Sequence, residues 1–228
     1  MKLAVITPCI YPNMFPIHYL LQSCQNHGVP IQTYGVGKQY ADWRNMLEHH
    51  TIPHMNNLVQ DGYTHVLYVD GIDSLFVAGL TEVATKYTRA GSPTILMSAD
   101  SDPPRGLVQD KFYLLGPWKY LNAGGYIGSI PHIIKMWKQL SEDFPDEGNY
   151  QRWLEISYPS PHPLYLDVGC EIFQPMDGNT SVMPMGRRVL NTITNSWPCI
   201  LHFRGGYCDP KTGRDERMKP WVDALSMK

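Results

Sequence analysis

The chain has 228 residues, of which 43 % are hydrophobic and 18 % charged, and this size and composition suit one compact domain with a single core. Nineteen lysine and arginine residues against 21 acidic residues give a formal charge of −2, so the basic excess typical of proteins that bind polyanions or membrane surfaces is missing. Pro, His, Asn or Gly interrupts every apolar run before the roughly 18 residues of a membrane-spanning helix, so we expect a soluble protein without a membrane partner.

The five cysteines and the first residues predict the compartment. The cysteines are odd in number and widely spaced, and none forms a CxxC pair, so neither a disulfide framework nor a cysteine zinc site is indicated. The stretch MKLAVITPCIYPN runs into Pro8 without a small-x-small cleavage site, and it predicts a first strand rather than a secretory signal. We therefore expect a cytoplasmic protein, in the host cytoplasm if the source is viral.

The first half of the chain alternates predicted strands and helices. Its predicted elements are a strand over 2–6, a helix from Pro16 to Gly28, a strand over 29–34, a polar helix over 41–61 that Pro53 interrupts, a strand over 65–69 that ends at Asp70, a helix that Thr81 caps and Gly91 terminates, and a strand over 94–98 that leads to Asp100. This alternation predicts a mostly parallel sheet with helices on both faces, whose ligands lie beyond the carboxyl ends of the strands. Acidic residues at those ends are therefore candidates for function.

The pattern is less regular beyond residue 110. A glycine-rich segment, 122–129, precedes a helix with Ile133, Trp137, Leu140 and Phe144 on one face, and short strands of a mixed sheet are predicted over 164–167, 171–174 and 199–203. The last 20 residues are charged, and we expect them to be loosely held. The prediction is an α/β fold with a Rossmann-like first half and an irregular mixed second half, in a single domain over 1–228 that contains no linker.

Two pairs of acids compete as a metal site. Asp70 and Asp73 follow a buried strand, and Gly71 lets the backbone turn so that both carboxylates can converge on Mg²⁺ or Mn²⁺, although an Asx turn at the strand end would use the same residues. Asp100 and Asp102 form a D-x-D pair after the next strand, where two prolines also favour a rigid loop. Spacing alone does not choose between the pairs.

Three further features could contact a ligand. His202 ends a predicted strand and could complete an octahedral site, but a hydrogen-bonded structural histidine is the alternative. Lys38 lies in GVGK, which lacks the other residues of a P-loop, so a single phosphate contact is expected there. Gly124 and Gly125 lie in the glycine-rich segment, which either leaves room for a sugar or phosphate against main-chain N–H groups or forms a tight connection.

Four blocks in fixed order resemble one known family. HVLYVDGID, YLNAGGYIGS, LYLDVGCEIFQPMDG and ILHFRGG, within about residues 60 to 206, are similar to the glycosyltransferase domain of the procollagen lysyl hydroxylases and the related procollagen galactosyltransferases. The resemblance implies a GT-A fold, in which a Rossmann-like nucleotide-binding half joins an acceptor half. It also implies transfer of a hexose from a UDP-sugar with the help of Mn²⁺.

The family motifs assign roles to residues of this chain. They imply that Asp70, Asp73 and His202 hold Mn²⁺ or Mg²⁺. The resemblance therefore favours these residues over the D-x-D pair of Asp100 and Asp102 as the metal site. The resemblance and the position of ligands at such sheets also imply a substrate-binding set. Its members are Thr7, Lys38, Asn122, Gly124, Gly125, Gln151, Gln174, Arg204 and Gly205. The acids that could act on the acceptor hydroxyl are Asp100, Asp146, Glu147 and Asp167.

The departures from the family concern the base and the acceptor. Ile72 stands where the family has an aromatic residue between its metal aspartates, and DEGNYQ over 146–151 stands in place of a polyacidic stretch near the acceptor. We expect residues 1–102 to bind the donor and residues 103–228 to supply the acceptor site. The expected acceptor is a hydroxylated nucleobase in DNA or another sugar rather than collagen hydroxylysine.

Two other functions remain open at this level. A metal-dependent nucleotidyltransferase or pyrophosphatase would use the same acids, although the LNAGG and IFQ blocks argue against it. A non-catalytic relative that binds sugar nucleotides would explain the rewritten acidic stretch. The donor sugar, the stereochemical outcome and the oligomeric state do not follow from the sequence.

Overall fold

A computed structural model describes most of the chain, namely residues 1–11, 14–38, 41–101, 116–145, 164–176, 181–203 and 217–226. The strands, in chain order, are β1 Leu3–Pro8, β2 Ile31–Tyr34, β3 His65–Val69, β4 Ser74–Phe76, β5 Ile95–Asp100, β6 Tyr120–Ser129, β7 Leu164–Leu166, β8 Phe173–Pro175, β9 Val182–Met185, β10 Arg188–Asn191 and β11 Ile200–His202. The helices are α1 His18–Asn26, α2 Trp43–Met46, α3 Ile52–Gln60, α4 Leu80–Arg89, α5 Ile130–Asp143 and α6 Lys219–Ser226. A 3₁₀ turn, Phe15–Ile17, leads into α1, and a π-helical turn, Leu47–Thr51, joins α2 to α3.

A six-stranded sheet organises the fold, with the strand order β2-β1-β3-β6-β5-β7. β1 pairs in parallel with β2 and with β3, and β5 pairs in parallel with β7. β6 runs antiparallel to both of its neighbours, β3 and β5. Five strands therefore share one direction and β6 opposes them, which confirms the predicted α/β class with a mostly parallel sheet. β6 and β7 come from beyond residue 103, and the predicted division of roles between the two halves stays a prediction.

Both faces of this sheet are buried, as expected for a central sheet in an α/β protein. On one face Ile6, Tyr68 and Tyr126 pack with the helical residues Met55 and Trp137. On the other face the alternate strand residues Val5, Leu67 and Ile127 pack with Leu20 of α1, Val83 of α4 and Phe173 of the second sheet. Because successive side chains of a strand point to opposite faces, a continuous apolar strand such as β3 serves both clusters.

A second sheet, β4-β11-β8, packs against the first. β11 is antiparallel to β4 and parallel to β8. Its outer cluster includes Leu75 and Leu201 and is covered by Met218, Val222 and Leu225 of the C-terminal segment. The expectation of a loosely held C-terminus is therefore wrong for residues 217–226, because the apolar residues of α6 recur on one face and bury themselves.

Two predicted helix features also differ from the structure. Gly79, with extended backbone angles, is the N-cap of α4, and Thr81 lies inside the first turn. The helical stretch before β3 is not broken at Pro53, which lies in the first turn of α3, where a missing N–H is tolerated; the irregularity is the π-helical turn before it.

Among the described residues, no helix is long and apolar enough to cross a bilayer.

The glycine-rich segment is a strand rather than a connection. It forms β6, which is buried from Tyr120 to Gly128. A Cβ on Gly128 would lie 2.5 Å from the Thr94 carbonyl oxygen, and one on Gly125 would lie 2.7 Å from the Phe173 ring. These glycines serve close packing between neighbouring elements rather than unusual backbone angles.

Candidate metal and donor site

The site lies where the parallel strands end, at the edge of the six-stranded sheet. Asp70 is the first residue after β3, and its N–H donates to the Gly124 carbonyl of β6 at 2.9 Å. Gly71 makes the following turn possible, because a Cβ there would lie 2.9 Å from the Pro8 carbonyl oxygen and 3.0 Å from Thr7 Oγ1. The turn delivers Asp73 directly before β4.

The second sheet brings His202 to the same place. In the antiparallel pairing of β11 with β4, His202 lies opposite Ser74, and the Phe203 N–H donates to the Asp73 carbonyl at 2.7 Å. His202 Nε2 lies 3.5 Å from Asp73 Oδ2 and 3.9 Å from Asp70 Oδ2. One ligand atom from each of the three residues falls within 4.8 Å of the others. Two strands distant in sequence thus bring two acids and an imidazole together.

Burial and charge perturb these groups strongly. Burial and then the charge of Asp73 raise the pKa of Asp70 to about 7, against the opposing effects of His202 and of a hydrogen bond from Tyr68. For His202, burial acts to lower the pKa, but the charge of Asp73, its hydrogen bond, and the charges of Asp70 and Asp100 raise it to about 9. The cluster therefore favours a cation, which in the apo protein is the imidazolium.

The same cluster has the donor set of a divalent-ion site. Two carboxylates and one imidazole suit Mn²⁺ or Mg²⁺, and a bound ion would relieve the repulsion between the two acids. The side chains of Asp73 and His202 are 6 % and 5 % exposed, whereas that of Asp70 is 20 % exposed, so the cluster opens to solvent on the Asp70 side. We define Asp70, Asp73 and His202 as the DDH cluster.

Gly124 is needed at this place because of how closely β6 approaches the DDH cluster. A Cβ on Gly124 would lie 2.5 Å from His202 Nε2 and 3.0 Å from Asp70 Oδ2. The register of β6 with β5 shifts here: Tyr126 pairs with Met97 and Asn122 with Ser98, so residues 123–125 have no partner on β5. Such irregularities commonly lie beside active sites, where they redirect the backbone.

Asn122 and Asp100 extend the site along the same edge. Asn122 Oδ1 accepts a hydrogen bond from the Gly124 N–H at 2.8 Å, and its Nδ2 donates to Asp100 Oδ2 at 3.2 Å. Both side chains are buried, and the charge of Asp100 is among those that raise the pKa of His202. Asp100, Asn122 and Gly124 therefore lie next to the DDH cluster, and their predicted roles toward a substrate stay predictions.

Thr7 and Lys38 occupy the ends of the neighbouring strands. Thr7 is fully buried near the end of β1, and within the described part of the chain its hydroxyl has no hydrogen-bond partner. Lys38 is exposed in the turn after β2, where its N–H donates to the Gly35 carbonyl at 3.0 Å. Their predicted contacts with a nucleotide stay predictions.

The Asp167 carboxylate is held by backbone hydrogen bonds. Its carboxylate accepts three backbone hydrogen bonds, from Glu171 at 3.0 Å, Ile172 at 2.7 Å and Phe173 at 2.8 Å. Burial raises its pKa, and these three N–H donors oppose the rise. The carboxylate organises the turn between β7 and β8, and its predicted catalytic role stays a prediction.

Gln174 is also engaged in structural contacts, and its predicted contact with the substrate stays a prediction. It lies opposite Leu201 on β11, whereas His202 is the next residue, so their side chains leave opposite faces of the second sheet. Gln174 is fully buried, and its Oε1 accepts from Asn191 Nδ2 at 2.7 Å. This amide pair joins β8 to β10.

Several predicted residues lie outside the described part of the chain. They are Asp102, Asp146, Glu147, Gln151, Arg204 and Gly205. Their proposed roles stay predictions.

The structure adds one contact that the motifs did not indicate: the Tyr68 hydroxyl donates to Asp70 Oδ1 at 2.9 Å. The signal for it was the i, i+2 spacing of the two residues in LYVD, which places both side chains on one side of the strand.

Comparison with known proteins agrees with this geometry. The profile of the family described as the PLOD GT domain matches residues 13–208, a range that includes the whole DDH cluster. Rat multifunctional procollagen lysine hydroxylase and glycosyltransferase LH3 is 25 % identical over 205 residues, covering 81 % of this chain and 27 % of the relative. Uncharacterized protein R699 of Acanthamoeba polyphaga mimivirus is 26 % identical over 193 residues, covering 80 % of this chain and 41 % of that protein. The chain thus spans less than half the length of either relative.

Two solved structures share the fold. A glycosyltransferase involved in the glycosylation of the major capsid of PBCV-1 superposes with a TM-score of 0.52 at 10 % identity, covering 96 % of this chain and all of the other. The bifunctional glycosyltransferase WbbM superposes with a TM-score of 0.52 at 13 % identity, covering 90 % of this chain and 46 % of the other. With the fold shared and the profile matched over most of its length, the chain belongs to the PLOD glycosyltransferase-domain family and has a GT-A fold.

Proposed function

We propose that the protein transfers a hexose from a nucleotide sugar, UDP-linked, to a hydroxyl acceptor and requires Mn²⁺ or Mg²⁺. The observation that carries this proposal is the DDH cluster, whose ligand atoms lie within 4.8 Å of one another. The cluster lies at the carboxyl edge of the parallel strands, where open α/β sheets bind their ligands.

The residues divide the work according to their position. Asp70, Asp73 and His202 would hold the divalent ion, which when bound supplies positive charge to the departing nucleoside diphosphate. Thr7, near the end of β1 at the same edge of the sheet, is proposed to lie beside the donor diphosphate. Asn122 and Asp100 form a buried polar pair beside Gly124 and would orient the donor sugar.

The acid that acts on the acceptor hydroxyl is proposed to be one of three of the four candidates from the sequence. Asp167 is engaged by three backbone N–H groups, which leaves Asp100, Asp146 and Glu147. Of these, Asp100 lies beside the DDH cluster. Its carboxylate could orient an acceptor hydroxyl or accept its proton.

The acceptor is proposed to be a modified nucleobase or a second sugar. DEGNYQ replaces the family's acidic stretch and is followed by Trp153, and amide and aromatic groups favour a flat or neutral acceptor over a cationic lysine derivative. We propose a reducing, cytoplasmic setting, since no disulfide joins the described cysteines Cys9, Cys24, Cys170 and Cys199 to one another.

A donor-turnover assay tests the central proposal. The purified protein is incubated with a panel of nucleotide sugars, with Mn²⁺ or with a chelator, and release of the nucleoside diphosphate is measured with and without candidate acceptors. Asp70→Ala and His202→Ala should abolish release while the proteins remain folded. The matched control is Asp61→Ala. Asp61 is an exposed acid that follows α3 and precedes β3, so it lies at the opposite end of that strand from Asp70.

Retained turnover in Asp70→Ala, or turnover that a chelator does not affect, would contradict the metal-dependent mechanism. Release of a nucleoside monophosphate and a sugar 1-phosphate, rather than a nucleoside diphosphate and the sugar, would instead indicate the pyrophosphatase alternative.

A further inference from the structure

Tyr68 connects the core to the DDH cluster. It lies on β3 two residues before Asp70, so both side chains leave the strand on the same side. Its hydroxyl donates to Asp70 Oδ1 at 2.9 Å. One oxygen of the Asp70 carboxylate is therefore already engaged by the protein.

The other oxygen of Asp70 faces the cluster. Oδ2 lies 3.9 Å from His202 Nε2. A Cβ added to Gly124 would lie 3.0 Å from the same Oδ2. Asp73 also approaches His202 through its Oδ2, at 3.5 Å. The two oxygens of Asp70 thus have different surroundings, with a phenol on one side and the remaining ligand atoms on the other.

The phenol that makes this distinction is rigidly placed. The Tyr68 ring is stacked on the Tyr126 ring with centroids 4.6 Å apart and planes 3° from parallel. The Tyr126 ring in turn packs against Trp137 at 6.0 Å. All three residues are fully buried, and Tyr68 and Tyr126 are paired across two central strands. A hydroxyl on such a stack has little freedom to move away from Asp70.

We propose that Tyr68 is a positioning residue of the metal site: its hydroxyl occupies Asp70 Oδ1 and so presents Oδ2 to a divalent ion, together with Asp73 and His202. This inference rests on the proposed function, because it requires a divalent ion at the DDH cluster. Residues that orient metal ligands through hydrogen bonds typically contribute 10–100-fold to metal affinity. A tyrosine that served only the core would act through its ring, which phenylalanine also provides.

The substitution Tyr68→Phe separates these two roles. The matched control is Tyr87→Phe, since Tyr87 is equally buried, lies in the other core cluster and donates its hydroxyl to the Pro93 carbonyl. Mn²⁺ binding is measured by titration, following free Mn²⁺ by paramagnetic resonance, and the melting temperature is measured without metal. We expect the Kd for Mn²⁺ to rise about 10-fold or more in Tyr68→Phe and to stay unchanged in Tyr87→Phe.

The activity measurement adds a second readout. If Tyr68 acts by positioning a ligand, the metal concentration needed for half-maximal turnover rises in Tyr68→Phe, and most of the turnover returns at saturating Mn²⁺. A Kd for Mn²⁺ within twofold of wild type would overturn the role of Tyr68 and leave the metal site standing. Wild-type protein that binds no Mn²⁺ in the same titration would overturn the metal site itself, and the inference with it.

Discussion

At the scale of single residues, the site depends on side chains that are short or absent. Gly124 allows β6 to pass directly beneath the His202 ring, and Gly71 allows the turn after β3 to pass close to β1. Gly124 of the LNAGG motif therefore leaves the space that His202 and Asp70 occupy. A glycine-rich segment that suggested main-chain contacts with a phosphate turns out to make room for an imidazole.

Gly124→Ala tests this steric role. The added Cβ would lie 2.5 Å from His202 Nε2, so the imidazole must move away from the two aspartates. We expect turnover to fall about 100-fold, since misplacing a reacting group by about 1 Å can cost that much, with a loss of roughly 1–3 kcal/mol in stability from overpacking. Gly169→Ala is the control, because a Cβ there would meet Glu171 at an ordinary 3.7 Å. Equal turnover in the two variants would show that His202 need not hold its position.

The protonation of His202 predicts how the stability of the metal-free protein depends on pH. Its pKa in the folded protein, about 9, lies above its ordinary value of 6.5, so the stabilising effect of the imidazolium is complete below pH 6.5 and lost as the pH rises through 9. The raised pKa of Asp70, about 7, acts in the same direction between pH 4 and 7, because an ionised Asp70 adds a second negative charge beside Asp73.

We therefore expect the free energy of unfolding of the metal-free protein to fall from pH 6.5 to 9.5, by an amount on the order of 3 kcal/mol from His202. Saturating Mn²⁺ should reduce this fall, because the ion takes over the role of the proton. Denaturant unfolding at a series of pH values, with and without Mn²⁺, provides the measurement. His202→Asn should flatten the metal-free profile; a wild-type profile that is already flat would contradict the predicted protonation.

At the scale of elements, the turn between β7 and β8 depends on one carboxylate. Asp167 accepts hydrogen bonds from three successive backbone N–H groups, at residues 171, 172 and 173, and thereby sets the direction in which β8 leaves. β8 in turn carries Phe173, whose ring packs closely against Gly125 of β6. The turn thus helps to hold the second sheet against the first.

Asp167→Ala should accordingly act on stability. It leaves three N–H groups without their acceptor, and we expect a loss of roughly 2–4 kcal/mol in the free energy of unfolding. The Mn²⁺ affinity of the folded protein should remain close to that of wild type, because Asp167 is not a ligand. Denaturant unfolding and Mn²⁺ titration check the two expectations. Turnover lost without any loss of stability would restore Asp167 as a catalytic acid.

At the scale of the whole molecule, donor and ion are expected to bind together. The formal charge of −2 offers no general attraction for a nucleoside diphosphate, and the DDH cluster adds two carboxylates at the place where the diphosphate would lie. A divalent ion must therefore offset the repulsion between the donor and the site.

A thermal-shift experiment tests this dependence. UDP should raise the melting temperature when Mn²⁺ is present and leave it unchanged with a chelator. At a ligand concentration about 100-fold above Kd, binding stabilises the folded state by about 2.7 kcal/mol. Comparing UDP with other nucleoside diphosphates also tests the base, for which Ile72 replaces the family's aromatic residue. Stabilisation by UDP that survives the chelator would place the donor away from the DDH cluster.

Local pattern in the chain was enough to predict five of the six strands of the main sheet, β1, β2, β3, β5 and β7, and the acids Asp70 and Asp100; β6 was not predicted as a strand. β3 and Asp70 were predicted as observed, since a short apolar run bounded by turn residues is a local property of the chain. That Asp70, Asp73 and His202 lie close together was predicted from the resemblance to the family motifs, and the structure confirms this proximity; their role as metal ligands stays a prediction. Spacing alone left Asp70 with Asp73 and Asp100 with Asp102 as equal candidates.

Contacts between distant elements account for the rest. Whether a buried acid is catalytic or structural depends on which backbone groups face it, and the three N–H donors around Asp167 belong to a turn that sequence pattern does not describe. Gln174 and His202 lie on paired strands, but a difference of one register position places them on opposite faces of a sheet. The need for glycine at 124 arises only because β11 packs over β6, so the steric role of Gly124 could not be predicted from the local sequence.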